Sequence, residues 1–146
     1  MQTIKTIMLC VALIGACFVA QAQVQPVVKE GNTVKVSPHV YLIPDEKVGM
    51  VPNVGIIVGS RATMVVDPGM GLKSGEAILR ELGKINKSKS LYIVNTHFHP
   101  EHTTGDLAFP ASAKVLRAAA QQQDVDEMGL KWVAVFAARG AGVWRR

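Results

Sequence analysis

Three short stretches limit the architecture more than anything else in the chain: Val54 to Gly59, Ala62 to Val66 and Leu91 to Asn95 are apolar at almost every position. Strands that line a wet sheet alternate apolar with polar residues, and these do not, so the pattern predicts strands buried on both faces. The first two are separated only by Ser60-Arg61, a tight turn, and the second runs into Asp67-Pro68-Gly69, which places a lone charge at a strand tip. Between the second and third stretches, Ala77, Ile78, Leu82 and Ile85 recur at helical spacing, with Ser74 as the expected cap. Upstream, Thr33 to Ser37 and Val40 to Ile43 flank Ser37-Pro38-His39 as a short hairpin. Downstream, Ala113 to Leu116 is a short strand and Ala118 to Met128 a polar helix that Gly129 should stop. Lys131 to Ala138 begins as an apolar helix or strand, yet neither a cap nor a further element follows it. Strand pairs followed by helix, strand and loop give a layered α/β class, with helices packed outside a sheet.

The first 22 residues have the pattern of a secretory signal: Lys5, an apolar run from Thr6 to Ala20, then Ala20 and Ala22 around Gln21. Cleavage after Ala22 would send the product to the periplasm or the medium. Leu13 to Cys17 can also be read as a lipoprotein box, with Cys17 lipidated and membrane attachment as the consequence. Residues 23–32 form a Gln-rich leader that we expect to be flexible, and residues 33–146 carry one modest domain. Cys10 and Cys17 are the two cysteines of the chain, and both precede Ala22. The exported form therefore has no disulfide and no thiolate ligand to draw on. The formal charge of +5 includes Lys5 and is spread without a basic cluster, so it leaves no nucleic-acid footprint.

Three of the four histidines stand within six positions, in THFHPEHTTGD at residues 96–106. Imidazole nitrogen suits zinc and similar divalent ions, and carboxylate oxygen completes such sets. On an extended segment leaving a strand, His97 and His99 project to the same side. Pro100 bends the path, so Glu101 and His102 can reach the same pocket from another direction. The carboxyl ends of strands in an α/β sheet are where ligands bind. The remaining histidine, His39, sits beside Pro38 in a turn and is read as an ordinary hydrogen-bonded residue.

H-x-H-x-[D/E]-H after a strand resembles the metal signature of the metallo-beta-lactamase superfamily, whose members are four-layer αββα hydrolases. Val54 to Gly69 resembles the family's strand pair ending in an aspartate, and Thr103-Thr104-Gly105-Asp106 its small Gly-containing segment. The likeness spans roughly residues 33–130 and corresponds to the family's N-terminal half, so the chain is expected to be a partial sandwich without its C-terminal half. By resemblance, His97 and His99 would bind a first zinc, and His102 with Glu101 a second, giving two Zn2+ per complete site. Asp67 would support the metal loop by hydrogen bonding; the alternative from the residues alone is a turn residue satisfying backbone amides before Pro68. Glu101 stands where the family has aspartate, one methylene longer, and would ligate or act as the catalytic base. Further ligands of the family come from later in its chains, and no histidine follows His102 here; Asp106, Asp124 and Asp126 have no spacing that singles them out.

The reaction implied is hydrolysis of a small molecule, in which metal-activated water attacks an ester, thioester or amide-type carbon. An inert zinc-binding remnant is the alternative. An amidohydrolase-type barrel ranks last, because it predicts neither His102 nor the strand pairs and helix that precede the cluster. Half a sandwich would leave one sheet face bare and favour self-association.

Overall fold

The computed structural model describes residues 26–85 and 90–139. The signal, its cleavage point and the lipidation alternative at Cys17 fall outside them. Six strands form one sheet in the order β1 (Val34–Lys35), β2 (Val40–Ile43), β3 (Val54–Val58), β4 (Thr63–Val66), β5 (Leu91–Val94) and β6 (Lys114–Leu116). The first four make an antiparallel meander, and β5 and β6 then add parallel to β4. Helix α1 (Gly71–Ile85) provides the crossover that a parallel β4–β5 pair requires.

The register sets the two faces. Ile43, Val54, Ile56, Val65 and Ile93 point to one side, where they join Ile78 and Leu82 of α1 and Phe109 in a single core. Leu42, Ile57, Met64, Val66, Tyr92 and Val94 point to the other side and remain half-buried or exposed, Ile57 at 42%. The expectation of strands buried on both faces therefore fails. Both faces are apolar, which erases alternation from the sequence, but among the described residues helices cover only one of them.

Two helix limits also differ from the sequence reading. Helix α1 starts at Gly71, so Ser74 is an interior, fully buried residue whose Oγ accepts from Val28 N at 3.3 Å. The donor at the helix start is satisfied from a distance, Gly71 N bonding to Thr104 Oγ1 at 2.9 Å. Gly129 does not stop the second helix either. Helix α2 (Pro100–Thr103) and a 3-10 turn (Thr104–Ala108) follow the histidines, and α3 (Ala119–Asp124) then passes through a widened turn at Val125–Gly129 straight into α4 (Leu130–Arg139). An isolated glycine costs a helix only about 1 kcal/mol, which a packed Phe136 outweighs.

The described part of the stretch read as a flexible leader lies on α1. Val28 is buried, Gly31 N donates to Glu81 Oε1 at 2.9 Å and Glu30 pairs with Arg80 at 2.7 Å. Among the described residues, no helix is long and apolar enough to cross a membrane.

Candidate metal centre

The site lies beyond the carboxyl ends of β4 and β5. Asp67 directly follows β4 with φ of 56°, a left-handed conformation that Asp tolerates better than most residues, and this turns its carboxylate towards the next strand's exit. Thr96, two residues past β5, bonds to it twice: the amide donates to Oδ1 and the hydroxyl to Oδ2, both at 2.7 Å. Asp67 N donates in turn to Val94 O at 2.9 Å. His97, Phe98 and His99 run on from Thr96, and Pro100 opens α2 as its first residue, a position where its missing N–H costs nothing. Glu101 and His102 are therefore on a helical turn, while His97 and His99 are on the extended segment before it.

Close packing fixes that arrangement from below. Gly105 N donates to Gly69 O at 2.8 Å, and a Cβ on Gly105 would collide with the carbonyl of Pro68. Gly75 of α1 lies equally tight against Gly105 and Ala108. Only glycine lets the turn after the histidines approach the β4–α1 loop so closely.

The three imidazoles gather. Ring centroids are 4.7 Å apart for His97 and His99, and 4.0 Å for His97 and His102. Glu101 Oε1 is 3.7 Å from His99 Nδ1, while its Oε2 is buried without a hydrogen-bond partner. His102 Nδ1 lies 3.0 Å from Asp67 Oδ2. The contact falls outside hydrogen-bond geometry, which leaves Nδ1 without a hydrogen-bond partner. Asp67 is buried, which works against its charge, but His102 and the two Thr96 donors outweigh that and hold the carboxyl below its usual range. Burial, and then the neighbouring His102 and His99 rings, hold His97 below the ordinary imidazole range. Neutral imidazole is the form that ligates a metal.

Zinc–nitrogen bonds of about 2.0–2.1 Å in tetrahedral geometry put the centroids of two imidazoles on one ion roughly 5 Å apart. The His97–His99 separation is close to that, and the His97–His102 separation is short of it. Among the described residues, no three or more His, Cys, Asp or Glu side chains already stand as a set able to hold one ion. The donor types suit a divalent ion, and two buried atoms, Glu101 Oε2 and His102 Nδ1, lack hydrogen-bond partners, but the rings must re-aim to share one ion.

Of the other carboxylates, Asp124 and Asp126 are exposed on α3 and the turn after it, Asp126 accepting from Gln122 Nε2 at 2.8 Å. Asp106 belongs to the site's far wall. Its carboxylate takes Asn95 Nδ2 at 3.2 Å and Arg117 at 3.1 Å, and burial pushes its pKa up to about 6 against both partners. Asn95 Nδ2 also donates to His102 O at 2.9 Å. Trp132 of α4 packs on His99 with centroids 5.0 Å apart. Sequence reasoning passed over Asn95, Thr96, Arg117 and Trp132. Asn95-Thr96 could have been found as the polar pair between an apolar strand and the first histidine, whereas Arg117 and Trp132 reach the site only through tertiary packing.

The family model of the metallo-beta-lactamase superfamily matches residues 48–140. Solved structures share the fold. A metallo-beta-lactamase with a HARLDQ motif from Cronobacter sakazakii is 18% identical with a TM-score of 0.56, covering 70% of this chain and 39% of its own. MEM-A1, a subclass B3 metallo-beta-lactamase isolated from a soil metagenome library, is 17% identical with a TM-score of 0.52, covering 68% of this chain and 37% of its own. The chain thus spans well under half the length of these structures, and its six-stranded sheet with helices on one face matches part of their fold. No curated protein matches. With the histidine motif on a strand exit, Asp67 bonded to the loop that carries it, and a family model matched across most of the described residues, the chain belongs to the metallo-beta-lactamase superfamily.

Proposed function

We propose that this protein is a zinc-dependent hydrolase acting on an ester, thioester or amide-type bond of a small molecule. The observation that carries the reading is the gathering of His97, His99 and His102 at the exit of β5, beside the unpartnered buried oxygen of Glu101. His97 and His99 would hold one ion, and His102 with Glu101 a second. Bound zinc supplies a Lewis acid and lowers the pKa of an associated water towards 7. Asp67 keeps its negative charge and orients His102 while fixing the loop through Thr96. Glu101, where not fully engaged as a ligand, is placed to take up and return a proton. Trp132 shields His99 from solvent on the α4 side.

A second reading, an inert metal-binding domain, is favoured by the lack of a ready three-donor set among the described residues. Elemental analysis of the purified protein together with chromogenic ester, thioester and lactam assays separates the two. Tightly held zinc with turnover abolished by His97→Ala supports the enzyme, while weak zinc and no turnover leave the inert domain.

Export to the periplasm or medium, with residues 1–22 removed as a signal, rests on Lys5 and the apolar run that follows. Mass determination of the exported product tests it, and a lipid on Cys17 would replace it. Self-association through the half-exposed face around Ile57 is supported by that face's apolar surface. A sharp monomer peak at working concentration would contradict it.

A further inference from the structure

We propose that Arg117 is a positioning residue for the metal loop, acting through Asn95 and Asp106 on His102; the metal arm of this proposal rests on the hydrolase reading above. Asn95, Asp106 and Arg117 form a closed ring at the exits of the two parallel strands. Arg117 Nε donates to Asn95 Oδ1 at 3.2 Å, its terminal nitrogen to Asp106 Oδ2 at 3.1 Å, and Asn95 Nδ2 to Asp106 Oδ1 at 3.2 Å. Asn95 is 3% exposed and immediately follows β5, while Arg117 immediately follows β6. The same Asn95 nitrogen donates to the backbone carbonyl of His102. His102 is therefore held on two sides, its main chain by Asn95 and its ring by Asp67.

Arginine completes the hold on Asn95. A guanidinium can only donate, so it requires the amide oxygen of Asn95 to point at it, and this leaves the amide nitrogen for His102 O and Asp106. His102 O and Asp106 Oδ1 set the amide from its nitrogen side and Arg117 from its oxygen side, so without Arg117 the buried amide oxygen loses its donor and the hold of Asn95 on the His102 carbonyl slackens. The planar fork matters as well as the charge, since one side chain must reach both Asn95 Oδ1 and Asp106 Oδ2. Lysine presents a compact point charge without the fixed fork, so it should hold the two acceptors less well. Removing the fork should loosen His102 most, because its carbonyl takes the bond from Asn95, while the loop carrying His97 and His99 keeps its separate tie of Thr96 to Asp67.

The test compares the full chain with Arg117→Met and Arg117→Lys. Metal-free NMR comes first. The Asn95 side-chain amide should be protected from exchange in the parent and lose at least tenfold protection in Arg117→Met, with the His102 ring resonances shifting and those of His39 unmoved. Zinc titration and the visible spectrum of the cobalt-substituted protein come second: Arg117→Met should weaken the last-filled site at least tenfold and alter its cobalt bands, with Arg117→Lys intermediate. Unchanged Asn95 protection and His102 resonances in Arg117→Met overturn the proposal, as does full rescue by lysine. Should Arg117→Met not fold, the lysine variant decides by the same NMR measurement. A parent that takes up no zinc sinks the hydrolase reading alone, because the metal-free arm still judges the brace.

Discussion

Two aspartates, Asp67 buried and Asp106 half-buried, flank the histidine loop, and they answer desolvation in opposite ways. Asp67, at the tip of β4, accepts two short bonds from Thr96 and lies 3.0 Å from the His102 ring, and these neighbours hold its carboxyl low against burial. Asp106, on the β6 side, has Arg117 and Asn95 as partners, yet its pKa is driven up to about 6. Burial opposes the charge in both cases. Burial prevails at Asp106, where the Asp67 charge adds to it, and the donors differ too: Asp67 receives two bonds of 2.7 Å, one of them from a backbone amide, whereas the bonds to the Asp106 carboxylate are 3.1 Å and 3.2 Å. Short, preorganised donors stabilise a carboxylate more than a longer ion pair held at the edge of the fold.

The sharpest way to break this contrast is to remove the first aspartate. Asp67→Ala loses both Thr96 bonds and leaves alanine in a left-handed conformation, so urea unfolding should show a loss of about 4 kcal/mol. A loss under about 1 kcal/mol would mean that the loop does not depend on Asp67. Next in size is the pH response. Asp106 has its folded pKa raised from 3.8 to about 6, so its stabilising contribution is complete below about pH 4 and disappears as pH rises through 6. The span is on the order of 3 kcal/mol. Asp67 has the opposite sign, contributing above the ordinary carboxylate range and failing as the pH drops below it. Unfolding curves from pH 4 to 7 for the parent and for Asp106→Asn should therefore diverge in slope, and parallel curves would contradict the assignment. A smaller effect, about 2 kcal/mol at pH 7.5, is expected for Arg117→Met, shrinking towards pH 5 as Asp106 takes up its proton. If the cost is the same at both pH values, Arg117 is not compensating that charge. Asp124→Asn should fall within about 0.5 kcal/mol of the parent, since that carboxylate is exposed, and this sets the floor for the series.

The same contrast shows what the sequence could reveal. Asp67 was legible because it ends an apolar run, and the histidines because they cluster next to another. The limits of β3, β4 and β5 could be read to within a residue for the same reason: apolar runs stop where the chain leaves the sheet. Asp106 was visible but unremarkable, because its partners Asn95 and Arg117 are 11 and 22 residues from it or from each other and meet only through the parallel register of β5 and β6. The start of α1 was misplaced for a related reason. Its first donor is satisfied by Thr104, 33 residues away, so no local cap marks the spot. Burial on one face rather than two was hidden by an outer face that is apolar without being covered.

The contact of Gly105 with Pro68 and Gly69 has a consequence for how this protein can be altered. Two exits of the sheet are joined there with no space for even a methyl group. A side chain introduced at 105 would act as a wedge, prying the histidine turn from its footing and spoiling it without touching a single donor atom. Engineers who wish to graft new loops onto this scaffold should leave that seam alone.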